Sequence, residues 1–303
     1  MNTSTKPLAI GFIGFGEAAY HIAKGLREAG IPATFAYDIH TDTPGRGGLI
    51  RRRAEEAATP LVPSNAALAE LADIVFSAVT ANQSLAAAEQ TAPHLRSGQI
   101  YADLNSVSPG LKQAISEIVE THGGRFVEVA VMAPVPPYGH KVPLLTGGAA
   151  AADFADLMRP FGMRIETGVQ RIGSAAATKM CRSIMVKGIE ALMTECVLAA
   201  THYGVDDKVL ASLGETFPGM DWAKMASYLV GRVVVHGERR AREMEEVAGT
   251  VEEAGVEPIM VNAIVRRMGW SVGLGLKDAF GGQAPADYRE FAARIEALRK
   301  TVA

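Results

Sequence analysis

The sequence predicts an α/β N-terminal domain built on a doubly wound, mainly parallel sheet, followed by an all-α C-terminal domain. Three observations predict it. The apolar run from Leu8 to Ile13 passes through Gly14 and Gly16 into a segment whose apolar residues Ala19, Ile22, Ala23 and Leu26 recur at helical spacing, which reads as strand, turn, helix. Further short apolar runs alternate with helix-like stretches up to about residue 170. From Gly173 to Gly204 the chain then runs without proline, and beyond it helix formers dominate, with breaks at Pro218-Gly219, Gly255 and Pro258. Domains are therefore expected at 1–170 and 171–303, the second opening with a long helix that joins the two.

The first turn has the form G-x-G-x-x-A. Gly14 permits a tight turn, Gly16 lets the backbone N–H groups of Phe15, Glu17 and Ala18 approach phosphates, and Ala19 lets the helix lie close to its strand. A second strand, "IPATFAYD", ends in Asp38 at the distance where a dinucleotide fold places the acid that binds the ribose hydroxyls. After it, "IHTDTPGRGGLIRRR" reads as a loop running into a helix. Arg46 and Arg51 to Arg53 could hold a 2′-phosphate, whereas Asp38 would repel one, so NAD is the expected cofactor and NADP the alternative. "ALAEL" is a short helix, "ADIVFSAVT" a strand ending at Thr80, "GQIYADLNSVSP" a strand breaking at Asn105 and Ser106, and "GGRFVEVAVMAP" the next. Ligands bind such sheets at the carboxyl ends of the strands, where Val79, Thr80, Asn105, Ser106 and Met132 fall. The proline-dense "MAPVPPYGHKVP" reads as a rigid loop lining the cleft, with Met132 or Tyr138 against nicotinamide or substrate.

Composition excludes several classes. A chain of 303 residues, 48% apolar and 21% charged with a net charge of −3, is expected to bind neither nucleic acid nor an anionic membrane. Cys181 and Cys196 lie in one helical segment and suggest no disulfide framework; both are expected as buried small hydrophobes in a reducing compartment. The N-terminal stretch has too short and glycine-broken an apolar run for a leader, and no run reaches the roughly 18 apolar residues of a membrane span, so the expected location is the cytoplasm. His21, His40, His94, His122, His140 and His202 show no metal-ligand spacing, and no metal is expected.

Taken together, these motifs resemble the β-hydroxyacid dehydrogenases, the superfamily of 3-hydroxyisobutyrate and 6-phosphogluconate dehydrogenases, over nearly the whole chain. The glycine turn matches the family opening. "DLNSVSP", Asp103 to Pro109, looks like its "D-x-S/T-x-x-x-P", "FVEVAVMAP" with Gly147-Gly148 lines up with "F-V-D-A-P-V-S-G-G" and its later glycines, and Gly173 to Lys179 matches the glycine and lysine opening the interdomain helix. "REM", Arg242 to Met244, is similar to the family's "K-D-L", and "HGERRAREMEEV" looks like a bacterial branch whose C-terminal domain is catalogued as of unknown function. The chain departs where the family binds the substrate carboxylate: Met132, Ala133 and Pro134 replace a serine and two glycines, and proline has no N–H to give. Ser183 stands where the family has asparagine.

The resemblance implies hydride transfer between a nicotinamide cofactor and the alcohol of a small hydroxy acid or polyol acid, with decarboxylation open, and makes Lys179 the general acid/base. An ordinary lysine pKa is about 10.4; burial beside a positively charged nicotinamide would lower it into the useful range. Lys179, Ser183 and Lys187 repeat every four residues and share a helix face, so Ser183 could hold the substrate hydroxyl and Lys187 pair with an acid. Placing Lys187 on the family lysine instead would break the spacing from Gly173. His236, Arg239, Arg240 and Glu243 share another face, which reads either as a solvated ion-paired surface or as a replacement grip on an anionic substrate. The resemblance also implies a homodimer through the helical domain. An imine reductase using NADPH and a non-catalytic dinucleotide-binding protein are the alternatives.

Overall fold

The computed structural model describes residues 7–169 and 171–302; residues 1–6, part of the stretch read above for a leader, lie outside them. The chain forms two compact units, Met1–Lys179 and Met180–Ala303.

In the first unit the elements follow in the order β1 (Ala9–Ile13), α1 (Glu17–Glu28), β2 (Ala33–Tyr37), α2 (Gly47–Glu56), α3 (Asn65–Leu71), β3 (Ile74–Ser77), α4 (Ser84–Thr91) and β4 (Ile100–Asp103). Then come α5 (Pro109–Thr121), β5 (Arg125–Val131), β6 (Pro143–Gly147), α6 (Ala151–Met158), β7 (Arg164–Val169) and the start of α7 (Ser174–His202). The seven strands form one sheet in the order β2-β1-β3-β4-β5-β6-β7, parallel throughout except where β6 runs antiparallel to β5. The order reverses between β1 and β3, and a ligand crevice opens at such a switch point. One apolar cluster, with Phe12, Ile22, Phe76 and Phe154, covers one side of the sheet; a second, with Leu68, Val75, Tyr101 and Phe126, covers the other. Near-continuous burial of β1, β3 and β4 is what a sheet with helices on both faces demands.

Helix starts follow local chemistry. Ser108 accepts the N–H of Leu111 and is followed by Pro109 at the first helical position of α5; Ser64 caps α3 through the N–H of Ala67.

The second unit holds the rest of α7, then α8 (Asp206–Thr216), α9 (Trp222–Glu253), α10 (Ile259–Gly273), α11 (Leu276–Ala279) and α12 (Tyr288–Val302). Asp221 caps the 32-residue α9 by accepting from the N–H of Lys224. α9 packs closely on α10: a Cβ on Gly237 would stand 2.2 Å from Ser271 Oγ, so a larger residue there would force Ser271 to turn away from its hydrogen bond to Met268 O. Two apolar clusters, one around Val230, Tyr288 and Phe291 and one around Val233, Met244 and Ile264, form the core.

Three sequence expectations are corrected. β3 stops at Ser77 and leaves Val79 and Thr80 in the turn beyond it. "MAPVPPYGHKVP" is loop only in part, because Gly139–Lys141 form a 3-10 turn and Pro143 opens β6; with β7, that strand extends the sheet past its expected edge. Cys181 is exposed and Cys196 half-buried, so neither packs as a core residue.

Candidate active site

In the first unit a cavity of about 520 Å³ opens at the carboxyl ends of β1, β2 and β3. Gly14, Gly16, Glu17, Ala18, Asp38, Val79 and Thr80 all line it, together with Arg46 and Arg53 of the α2 region. Gly14 adopts φ +79°, and a Cβ there would meet Ala78 O at 2.6 Å, so the turn admits only glycine. Gly16 differs: a Cβ would meet nothing within 4 Å. It sits at the N-cap of α1, whose first-turn N–H groups receive no side-chain cap. Open space, uncapped donors and a helix N-terminus together make a fitting cradle for a pyrophosphate.

Asp38 follows β2 directly. Its carboxylate accepts the N–H of Phe15 at 2.7 Å and of His40 at 2.8 Å, which fixes it beside the glycine turn. The Phe15 side chain itself is fully buried against Phe12, so only its backbone faces this region. Of the arginines after β2, Arg51 pairs with Asp42 at 2.5 Å, whereas Arg46 lies 3.3 Å from His40 and Arg53 lies over the Tyr20 ring.

Asn105 is placed behind this cavity rather than on its wall. Its Oδ1 accepts the N–H of Val79 at 2.8 Å and its amide donates to Ser77 Oγ at 2.9 Å, so it braces the turn that carries Val79 and Thr80. Asp103 accepts from the Asn105 backbone at 3.1 Å and pairs at 3.0 Å with Lys112, both side chains being 1% exposed. Lys112 also donates to the Asp103 carbonyl at 2.8 Å, closing a buried network beneath the loop that carries Ser106.

Lys179 donates a hydrogen bond to Ser106 Oγ. The start of its helix is fixed from the sheet: Glu128 on β5, fully buried, accepts from Gly173 N at 2.8 Å and Ala176 N at 2.6 Å. A buried carboxylate at a helix N-terminus is stabilised by the uncapped N–H groups and by the dipole. Met132 packs with Ala130, Leu145 and Ala175 beneath the same turn.

The second unit holds the remaining candidates, on α7 and α9. Ser183 is partly buried. Lys187 pairs with Glu243 at 3.2 Å, and Glu243 also accepts from Arg239. Arg240, 3% exposed, lies 3.0 Å from Glu190, which is fully buried and is also 3.2 Å from Arg232. Burial pushes the Glu190 carboxyl up against the pull of Arg240 and Arg232, and draws the Lys187 ammonium down against that of Glu243. For Glu243 burial acts upward, but Lys187 and Arg239 outweigh it and hold the acid low. His236 is drawn down to about 4 by burial, then by Arg239, Arg232 and Arg240. Among the described residues, no cluster of three or more His, Cys, Asp or Glu could hold a metal.

Residues 9–153 match the family model for the NAD binding domain of 6-phosphogluconate dehydrogenase, and residues 200–270 match a domain of unknown function, DUF1932. A conserved hypothetical protein from Sinorhizobium meliloti is 38% identical, with 97% of each chain covered and a TM-score of 0.80. A conserved protein described as structurally similar to 3-hydroxyacid dehydrogenases is 31% identical, over 91% of this chain and 99% of its own, with a TM-score of 0.74. The chain belongs to the β-hydroxyacid dehydrogenase superfamily. The mitochondrial 3-hydroxyisobutyrate dehydrogenase of Drosophila melanogaster is a more distant relative, 26% identical over 74% of this chain and 68% of its own. As a superfamily member, the protein carries an NAD(P)-binding Rossmann domain, and the cavity at the glycine turn lies within the matched segment.

Sequence reasoning missed Glu128, Lys112, Glu190 and Arg232. Two had a readable signal: Glu190 follows Lys187 by three residues, and Arg232 precedes His236 by four, so each shares a helix face with a residue already singled out. Glu128 and Lys112 had none, because Glu128 meets backbone N–H groups 45 and 48 residues further on, and Lys112 meets Asp103 across the turn between a strand and a helix, which helical spacing does not pair.

Proposed function

We propose that this protein is an NAD(P)-dependent dehydrogenase that moves a hydride between the nicotinamide and the alcohol of a small hydroxy acid or polyol acid, with Lys179 as general acid/base. The observation that carries the reading is the hydrogen bond from Lys179 to Ser106, at a loop following a sheet strand in the unit that holds the cofactor cavity.

When bound, the nicotinamide supplies the hydride acceptor or donor. Gly16, Glu17 and Ala18 hold the phosphates, while the Gly14 and Phe15 N–H groups, expected from the sequence to do so as well, are already taken by Tyr37 O and Asp38; Asp38 takes the adenosine ribose hydroxyls; Val79, Thr80 and the braced Asn105 turn shape the wall. In oxidation Lys179 accepts the alcohol proton, and in reduction it returns that proton to the carbonyl oxygen. Ser106 orients the ammonium, and Ser183 hydrogen-bonds the substrate hydroxyl. Met132 closes the apolar side. Decarboxylation follows only where the oxidised product is a β-keto acid.

Asp38 favours NAD(H). A second reading, NADPH with an imine substrate, is favoured by Arg46 and Arg53, two cations on the cavity wall. Calorimetric titration with NADH and NADPH decides between them. Tighter NADH binding, lost in favour of neither cofactor in Asp38→Ala, supports the hydroxy-acid reading. Tighter NADPH binding that Arg46→Ala or Arg53→Ala weakens by about tenfold moves imines forward.

We place the protein in the cytoplasm as a homodimer paired through the helical unit. Met185, Ile189 and Leu192 are exposed along one side of α7, an apolar stripe that a second copy would cover.

A further inference from the structure

We infer that Glu128 on β5 is the positioning residue for Lys179: its carboxylate caps α7 from inside the sheet and so sets where the lysine ammonium stands. The inference rests on the reading of Lys179 as general acid/base, and goes beyond it by naming the group through which that lysine is held. All the residues involved lie in the first unit.

Capping geometry is the first support. The Gly173 carbonyl accepts the N–H of Ala177 at 2.9 Å, the first bond of α7, which makes Gly173 the N-cap and Ala176 the third helical residue. In a capping box the side chains of those same two positions satisfy each other's N–H groups. Glycine and alanine have no such side chain to offer. Glu128 serves both, Oε2 accepting from Gly173 at 2.8 Å and Oε1 from Ala176 at 2.6 Å. Ser64 and Ser108, by contrast, cap α3 and α5 locally.

Packing explains why this cap comes from a distance. Gly173 has φ +95°, and a Cβ there would stand 3.0 Å from Pro109 Cβ and 3.2 Å from Pro109 O, so a capping side chain does not fit. Gly173 and Ala176 are buried, and their N–H groups need an acceptor within the protein. Gln113 of α5 donates to Ile172 O at 3.3 Å and holds the preceding residue against the same helix.

The effect reaches Lys179 through one turn of helix. Lys179 follows Ala176 by three residues, on the same face, and donates to Ser106 Oγ. Ser106 precedes Pro109 by three residues, so the lysine and its hydroxyl partner are carried by the two segments that meet at Gly173. A misplacement of about 1 Å in a reacting group can cost about 10²-fold in rate. Glu128 is fully buried, and it acts on the reaction only through the helix it holds.

The test compares the parent with Glu128→Gln, which keeps the size of the side chain but turns an amide NH₂ toward one of the two N–H groups. Lys179 is first labelled with limiting acetic anhydride and quantified by peptide mass spectrometry, with the exposed Lys208 as internal reference. The variant should raise Lys179 labelling by about tenfold, with Lys208 labelling and circular dichroism unchanged. Glu128→Asp, which keeps the carboxylate but withdraws it by about 1.5 Å, should act in the same direction and is read instead if the amide variant does not fold. Parent-like labelling of Lys179 in a folded variant overturns the inference. On a hydroxy acid that the parent oxidises, Glu128→Gln should lower kcat by about 10- to 100-fold at unchanged NADH affinity, and cost nothing further in the Lys179→Met background. An equal loss in both backgrounds also overturns the inference, because Glu128 would then act elsewhere than through Lys179. If Lys179 labelling rises but no hydroxy acid is oxidised with either cofactor, the positioning stands and the dehydrogenase reading falls.

Discussion

Lys112 and Asp103 show how a residue that touches no ligand can govern a site. Each is 1% exposed, and their 3.0 Å pair, with the bond from Lys112 to the Asp103 carbonyl, anchors the loop bearing Asn105 and Ser106. Lys112→Met would leave a buried carboxylate without its cation, and the expected loss is about 3–5 kcal/mol in urea unfolding. An unchanged midpoint would mean that the pair does not anchor the loop. At this scale the sequence is readable where a residue's role depends on neighbours along the chain. Asp38 follows from its strand, and Lys179 from its spacing to Gly173. Glu128 is not readable in this way, since the N–H groups it accepts from, at Gly173 and Ala176, lie 45 and 48 residues away.

At the scale of elements, the glycine turn separates two requirements that the motif merges. Gly14 is needed by the fold, because φ is positive and Ala78 O blocks a Cβ; at Gly16 a Cβ would meet no side chain or distant backbone within 4 Å, so the fold makes no such demand and the proposed role of that glycine is toward the ligand. Gly14→Ala should therefore lower thermal stability and cofactor affinity together. Gly16→Ala should leave the melting temperature within a few degrees of the parent and weaken NADH binding by about tenfold or more. Equal effects on both properties in both variants would contradict the division. β1 to β5 were legible because each buried run is bounded by turn residues or a helix pattern. β6 and β7 were not, since β6 follows a proline-rich loop and ends in a glycine pair that reads as motif, while β7 alternates buried Ile165 with exposed Arg164 and Glu166 in the manner of a surface segment.

For the whole molecule, the two-part organisation of sheet then helices was legible from periodicity, and the ion network of the helical unit only in part. Helical spacing groups His236 with Arg239, Arg240 and Glu243, but the burial of Arg240 depends on Glu190, which reaches it from another helix. Assembly belongs to this scale. Sedimentation equilibrium should find a dimer, and the double variant Met185→Glu, Leu192→Glu should sediment as a folded monomer. A monomeric parent would remove the assigned role of the α7 stripe.

The central claim is that Lys179 carries the proton of a nicotinamide-dependent hydride transfer. The most direct measurement follows reduced nicotinamide by absorbance while a panel of small hydroxy acids is offered with each oxidised cofactor, for the parent and for Lys179→Met, with NADH affinity measured in parallel. The account predicts turnover by the parent on at least one hydroxy acid, a fall in kcat of about 10²- to 10⁴-fold in Lys179→Met, and unchanged NADH binding. Turnover that survives the substitution would contradict it.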